Sequence, residues 1–175
     1  EEAPIQKIPT ENLEAYDHFL KGLDLFYKGN RESLEEAIAY FKKAIEEDED
    51  FARAYADVAI AYFFLDMFQA EKKYSEAINS YADKALLLDP KLPQSLIAKA
   101  VFYMHNAEYE MAVPFLEKAL EYNPNSALVI NILSDFYTSY IPDPPKYLEY
   151  AIQGIRLDIA ADCRATANLI YLHLS

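Results

Sequence analysis

A pattern of small and aromatic residues recurs along this chain with a period of about 34 residues. The clearest copy spans residues 93–126 and places its pattern residues on two successive helical segments separated by a short turn. These residues are Leu96, Ala100, Tyr103, Ala107, Tyr109, Ala112, Leu116 and Ala119, with Pro124 at the exit. Such a period predicts a helical hairpin that can bury its apolar stripe only by stacking on neighbouring hairpins.

The same spacing locates three further, less regular copies. The copy that begins at Tyr55 carries an insertion of about seven residues relative to the repeat unit. The first copy, which includes Gly22, is stretched by a loop at residues 29–31. The fourth copy begins at Ile130, and a last apolar segment at residues 163–174 follows it.

Small residues stand where the two helices of each hairpin are expected to cross. A small side chain at a crossing lets antiparallel helices approach closely. The crossing residues are Gly22, Ala44, Ala59, Ala85, Ala100, Ala119 and Gly154. The composition agrees with a helical stack, because the chain is 53% apolar and has only three glycines in 175 residues.

The pattern predicts one helical domain. We expect helices near residues 11–28, 33–48, 51–69, 72–88, 93–106, 109–122, 126–140, 145–157 and 161–174. Residues 1–10 are expected to be extended, and residues 11–175 to form four hairpins plus a C-terminal helix. The insertion at residues 63–68 is expected to add helical turns that project beyond the stack and leave Met67 or Phe68 exposed.

The spacing of these residues resembles the tetratricopeptide repeat family. The resemblance implies an all-α fold, a right-handed superhelix of stacked antiparallel helical hairpins, and a role in binding proteins. More narrowly, residues 9–16, 20–22 and 62–90 resemble the repeat regions of bacterial multi-domain signalling regulators with nucleotide-cyclase or winged-helix output domains. That resemblance implies a sensory or scaffolding segment and carries no catalytic residue with it.

The charge of the chain restricts its partners. A formal net charge of −13 repels phosphate backbones and anionic membranes, so we expect neither nucleic acid nor membrane as a partner. The carboxylates either keep an apolar-rich stack in solution or attract a basic partner. No apolar run approaches the roughly 18 residues that span a membrane, so we expect a soluble chain, in either the cytoplasm or the periplasm.

The first residue is Glu1 rather than Met, and no signal peptide follows it. We therefore expect the chain to be a segment excised from a longer protein.

The sequence has no recognisable motif for catalysis, metal binding or cofactor binding. His18, His105 and His173 are far apart, and none stands four residues from another, so no zinc site is expected. Phosphate-binding and nucleophile-elbow glycine motifs are absent from the sequence. Cys163 is the lone cysteine and is interpreted as a small buried residue. We expect no cofactor and no enzymatic activity.

Candidate partner-binding residues come from the resemblance. In the tetratricopeptide family, the first helix of each hairpin lines a concave groove. The corresponding residues here are Tyr16, Phe19, Leu23, Phe26, Tyr27, Arg53, Asp57, Ile60, Phe63, Phe64, Gln94, Ile97, Val101, His105, Asn131 and Asp135. Some of these are expected to be core, because only part of each helix face can reach a groove.

These residues predict an apolar partner. The groove would be aromatic toward its N-terminal end and more polar toward its C-terminal end. Family members that bind chaperone tails clamp a terminal carboxylate with lysine, arginine and asparagine, whereas Arg53 and Asn131 are isolated here. An apolar peptide or an amphipathic helix with aromatic contacts as anchors fits better.

Two alternatives remain from the sequence. One is self-association as a homodimer, through the aromatic insertion or through the apolar face that Leu169 and Leu172 form on the C-terminal helix. The other is a small-molecule sensor or hydrolase whose pocket is the groove.

Overall fold

The protein is a stack of helical hairpins. The computed structural model describes residues 9–67, 69 and 71–161, the last four by their backbone alone. The helices, labelled in chain order, are α1 (Leu13–Phe26), α2 (Arg31–Glu47), α3 (Ala52–Asp66), α4 (Ser75–Leu88), α5 (Pro93–His105), α6 (Tyr109–Tyr122), α7 (Ala127–Asp135) and α8 (Pro144–Ala161). A π-helix at Phe136–Tyr140 continues α7.

Consecutive helices pair as hairpins, and the hairpins stack. α1 packs on α2, α3 on α4, α5 on α6, and α7 on α8. Contacts of α2 with α3, of α3 and α4 with α5, and of α6 with α7 join each hairpin to the next. The prediction of an all-α stack of helical hairpins is therefore confirmed for the described part of the chain.

Local residue chemistry sets several helix ends. Asn12 caps α1, because its side-chain oxygen accepts hydrogen bonds from the backbone N–H groups of Glu14 and Ala15 at 3.0 and 3.1 Å. Asn30 caps α2 in the same way. Pro93 opens α5 in the first turn, where the missing backbone donor is least costly.

The apolar core has two parts that meet at α3. One part joins α1, α2 and α3 around the fully buried rings of Phe41 and Phe51. The other runs from α3 to α8 and includes Leu116 and Leu133. Each hairpin thus buries its apolar stripe on its neighbours, as the repeat pattern predicts.

The small residues at the helix crossings are buried, except Gly154, which is half-buried, and one of them has no room for a methyl group. A Cβ atom added to Gly22 would lie 2.5 Å from Cε1 of Phe41, on the paired helix. At Gly154, an added Cβ would meet Ile130 at 3.6 Å, which is an ordinary contact. Close approach therefore requires glycine in the first hairpin but not in the fourth.

Most helix boundaries lie within three residues of the prediction, and the largest differences are after α3 and at the end of α8. α3 ends at Asp66 rather than near residue 69, and α4 begins at Ser75. Residues 63–66 therefore complete the helix, and a loop that begins at Met67 follows instead of further helical turns; we call it the insertion loop. The cause is the Asp66 carboxylate, which accepts backbone hydrogen bonds from Lys73 and Tyr74 and turns the chain back. α8 continues through the predicted break at 158–160, where the sequence has neither proline nor glycine to stop it.

Several predicted features lie outside the described residues. They are the extended segment at residues 1–8, Phe68 and the C-terminal helix with Cys163, Leu169, Leu172 and His173. Within the described residues, no helix combines the length and apolar character needed to cross a membrane.

We predict that Gly22→Ala lowers the free energy of unfolding by about 1–3 kcal/mol, because the new methyl group displaces the buried Phe41 ring. Gly154→Ala is the matched control, and its free energy of unfolding should stay unchanged or rise by up to about 1 kcal/mol. Urea unfolding followed by circular dichroism measures both. Equal effects of the two substitutions would contradict the close crossing at Gly22.

Candidate protein-binding surface

Aromatic side chains from α1 and α3 form one continuous row. Phe26 contacts Tyr27 and Phe64, with ring centroids 5.9 and 5.8 Å apart. Phe64 in turn meets Phe63 at 5.5 Å. We call Phe26, Tyr27, Phe63 and Phe64 the aromatic row. The structure thus brings together four residues that the sequence assigned to the groove.

An open apolar cavity lies against this row, where α1 and α3 end. Its volume is about 320 Å³. The lining residues are Phe26, Tyr27, Gly29, Leu34, Phe64 and Met67. Tyr27 is 77% exposed, Met67 68% and Phe64 37%. Exposed large apolar side chains grouped around a concavity are typical of a contact surface.

The predicted exposure of Met67 is confirmed. Met67 directly follows the last residue of α3, where the chain leaves the helix, and its side chain is mostly exposed. Leu34 and Gly29 belong to the same cavity and were missed by sequence reasoning, since they lie outside the first helices that the family pattern assigns to the groove.

Five predicted groove residues are buried instead. Phe19 packs on the rings of Phe41 and Phe51 within the first core. The others are held between neighbouring helices, where the face of a first helix meets the next hairpin rather than solvent. The five are Phe19, Asp57, Ile97, Val101 and His105.

The remaining predicted residues reach the surface to different degrees. Tyr16, Leu23, Phe26, Arg53, Ile60, Phe63 and Gln94 are half-buried. Tyr27, Phe64, Asn131 and Asp135 are exposed. Asn131 and Asp135 lie on α7, which belongs to the fourth hairpin, whereas the apolar cavity belongs to the first two.

The guanidinium of Arg53 is engaged within its own helix. Its Nε donates to Oδ2 of Asp57 at 2.8 Å, and the group lies over the Phe19 ring. Burial raises the pKa of Asp57 above its usual value, although the neighbouring Arg53 charge opposes this shift. Arg53 therefore has a partner already and does not resemble the free cation of a carboxylate clamp.

A buried polar pair anchors the insertion loop to the third hairpin. Asp66 and His105 are almost inaccessible, and Oδ2 of Asp66 lies 2.7 Å from Nε2 of His105. Since an ionised carboxylate only accepts, Nε2 carries the proton and donates. Lys72 adds a hydrogen bond from its ammonium to the His105 carbonyl. His105 is thus a structural link between α5 and the loop.

The carboxylate of Asp66 is stabilised in its charged form. Burial alone would raise its pKa, but the backbone N–H groups of Tyr74 and Lys73 and the ring of His105 outweigh burial and lower the pKa below the usual value. Sequence reasoning missed Asp66, because its partners stand seven to 39 residues away.

Comparisons with known proteins agree with this architecture. Residues 28–51 and 93–126 match the tetratricopeptide repeat family. The second match coincides with the clearest copy of the sequence pattern. Two segments of the chain, 58 of its 175 residues, are therefore similar to tetratricopeptide repeats. Repeats of this family generally mediate interactions between proteins.

One protein to which the chain is similar is sperm-associated antigen 1 of the mouse. It is 31% identical over 118 residues, which make up 66% of this chain and 12% of that protein. The chain therefore matches only a small part of the length of this relative.

We predict that Asp66→Asn lowers the free energy of unfolding by about 1–3 kcal/mol, because the buried backbone donors of the insertion loop lose a charged acceptor. Asp17→Asn is the control, since Asp17 forms an exposed pair with Lys21 that contributes little. Urea unfolding at neutral pH measures both variants. A loss as large at Asp17 as at Asp66 would contradict the anchoring role.

The pH dependence gives a second readout of the same substitution. Because the pKa of Asp66 is lowered on folding, its carboxylate stabilises the fold above the ordinary pKa of about 4. This contribution disappears as pH falls through the lowered value. The difference in free energy of unfolding between the native chain and Asp66→Asn should be constant from pH 5 to 7 and shrink below about pH 4.

Proposed function

We propose that this chain is a scaffold that binds a protein or peptide partner through the groove of its tetratricopeptide stack. The observation that carries the proposal is the open apolar cavity beside the aromatic row, where Tyr27, Phe64 and Met67 leave large apolar surfaces in contact with solvent. An apolar peptide or an amphipathic helix is the partner whose chemistry matches this surface.

The size of the cavity indicates how such a partner is held. A volume of about 320 Å³ accommodates one large aliphatic or aromatic side chain with its neighbouring backbone. Buried anchor side chains contribute most of the affinity of protein interfaces, and aromatic pockets are frequent receivers of such anchors. Phe26 and Leu34 form the less exposed part of the cavity, and Tyr27 and Met67 form its rim.

We further propose that the chain is the non-catalytic part of a larger regulatory protein. The support is the resemblance of residues 9–16, 20–22 and 62–90 to repeat regions of bacterial signalling regulators. The full-length gene tests this proposal. A nucleotide-cyclase or winged-helix domain encoded beside the repeats would support it, and a gene that encodes the repeats without such an output domain would contradict it.

Self-association as a homodimer is the second candidate function. Leu148 and Ile152 stand four residues apart on α8, and both are exposed, as is Leu128 on α7. Exposed apolar side chains grouped on one surface are typical of a contact surface, and a second copy of the chain can cover them. Sedimentation equilibrium tests this: a dimer that Leu148→Glu dissociates supports it, and a monomer at all concentrations contradicts it.

We predict that Phe64→Glu weakens binding of peptides selected on the native chain from a random displayed library. The selected peptides should share an aromatic or aliphatic anchor, because the cavity offers mainly apolar contacts. A charge placed at the cavity should weaken their binding at least about tenfold, equivalent to ~1.4 kcal/mol. Fluorescence anisotropy with labelled peptides measures the change.

Leu87→Glu is the matched control for this experiment. Leu87 is 77% exposed on α4 and lies outside the apolar cavity, so the same change of charge there should leave peptide affinity unaltered. Selected peptides that bind Phe64→Glu as well as the native chain would contradict the proposed site. Thermal unfolding of both variants verifies that the stack remains folded.

A further inference from the structure

A second cavity lies between the turn of the third hairpin and the end of α7. Its volume is about 340 Å³. Glu108, Tyr109 and Glu110, at the beginning of α6, line one side. Tyr140, the last residue of the π-helix, lines the other. We call these four residues the acidic aromatic pocket. It is separate from the apolar cavity, which belongs to the first two hairpins.

The two tyrosines of the pocket are stacked. Their ring centroids are 4.0 Å apart, and the ring planes differ by 25°. Phe136 supports both rings edge-on, at 5.3 Å from Tyr109 and 5.9 Å from Tyr140. Tyr109 is half-buried in this arrangement, whereas Tyr140 is 50% exposed. The pair therefore presents aromatic surface to solvent, and the packing of Phe136 against both rings holds it in place.

The π-helix fixes the position of Tyr140. Its wider turn is closed by the backbone N–H of Ile141, which donates to the Phe136 carbonyl at 2.8 Å. Within the same segment, the Tyr137 hydroxyl accepts a 2.8 Å hydrogen bond from Lys146, and its ring stacks on Tyr150 of α8. Short π-helical turns occur frequently at functional sites.

The pocket is electronegative. Glu108 and Glu110 are exposed, and neither forms an ion pair with any described lysine, arginine or histidine. Burial raises the pKa of Tyr109, and Tyr140 and the nearby Asp135 raise it further, so the phenol stays neutral at physiological pH. Two carboxylates without cationic partners thus flank neutral aromatic rings.

We propose that the acidic aromatic pocket binds an arginine side chain of the partner protein. A planar guanidinium stacks on tyrosine faces and is attracted to their π-electrons. Its N–H groups can donate to a carboxylate of Glu108 or Glu110 in a charge-assisted hydrogen bond, and the charge of the other carboxylate adds to the attraction. The net charge of −13 favours the approach of a basic segment. The proposed function is needed only for the statement that this arginine belongs to a partner protein. The affinity of the pocket for a guanidinium group does not depend on it.

The pocket and the apolar cavity occupy equivalent places in the stack. Each is formed where the first helix of a hairpin ends, α1 and α3 for the cavity and α7 for the pocket. Because the helices pair antiparallel within hairpins, the first helices run in the same direction and end on one edge. One partner segment that carries an apolar anchor and an arginine therefore matches this edge.

The test uses a capped tripeptide with a central arginine, titrated into the isotope-labelled chain and followed by amide chemical shifts. We expect saturable shifts at residues 107–111 and 140–141, weaker shifts with lysine in the peptide, and none with glutamine. Arginine exceeds lysine because its planar group stacks as well as pairs. Shifts spread evenly over the acidic surface, or equal shifts with glutamine, would overturn the proposal.

Variants locate the binding. The double variant Glu108→Gln and Glu110→Gln should weaken arginine binding about fivefold through the loss of both charges. Tyr140→Leu keeps the apolar bulk but removes the π-face, so we expect a loss of about threefold. Glu76→Gln with Glu149→Gln, two exposed carboxylates elsewhere, should have no effect. If the variant with both Glu108→Gln and Glu110→Gln bound arginine as tightly as the native chain, the proposal would be overturned. This test does not depend on whether Tyr140→Leu folds.

The experiments distinguish a failure of the proposed peptide-binding function from a failure of the proposed arginine site. Phe64→Glu should leave arginine binding intact, because Phe64 does not line the acidic aromatic pocket. Arginine binding without any selection of apolar peptides would contradict only the proposed function. Selection of apolar peptides without arginine-specific shifts would contradict only this inference.

Discussion

Close approach of paired helices at small side chains is the constraint on which the whole stack depends. Ala44, Ala59, Ala85, Ala100 and Ala119 are completely buried at the crossings, and Gly22 lies directly against the Phe41 ring. A larger side chain at such a point would separate the helices and open the contacts of the neighbouring aromatic residues. The aromatic row and both cavities exist because the hairpins are held at this short distance, with bulky rings left to fill the space between them.

Much of the fold could be predicted from the sequence, because the repeat period and the crossing residues are local signals. The insertion after α3 could not, since its course depends on Asp66 accepting hydrogen bonds from residues beyond the loop and pairing with His105 in another hairpin. The continuation of α8 past residue 157 was missed because the repeat pattern places the exit of the fourth copy there, although the sequence has no proline or glycine at residues 158–160. The π-helix at Phe136–Tyr140 could not be predicted, because no residue pattern in this sequence distinguishes it from a continuation of the α-helix.

The candidate surface was predictable only in part. Family spacing assigned Phe26, Tyr27, Phe63 and Phe64 to the groove, and the structure places them side by side, because all four lie near the ends of first helices. The same spacing also selected Ile97, Val101 and His105, which the packing of α5 against α3 and the insertion loop removes from solvent. Tyr109 belongs to the repeat pattern but not to its groove positions. Its contact with Tyr140 could not be predicted, since it joins two hairpins across 31 residues.

The central claim is that the edge where the first helices end is the surface that partners contact. Hydrogen–deuterium exchange of the chain with and without a selected peptide that contains both an apolar anchor and an arginine tests it most directly. The account predicts slower exchange at residues 27–34, 64–67, 107–111 and 140–141 in the complex. Protection confined to the outward faces of α2, α4 and α6, with no change at these four segments, would contradict it.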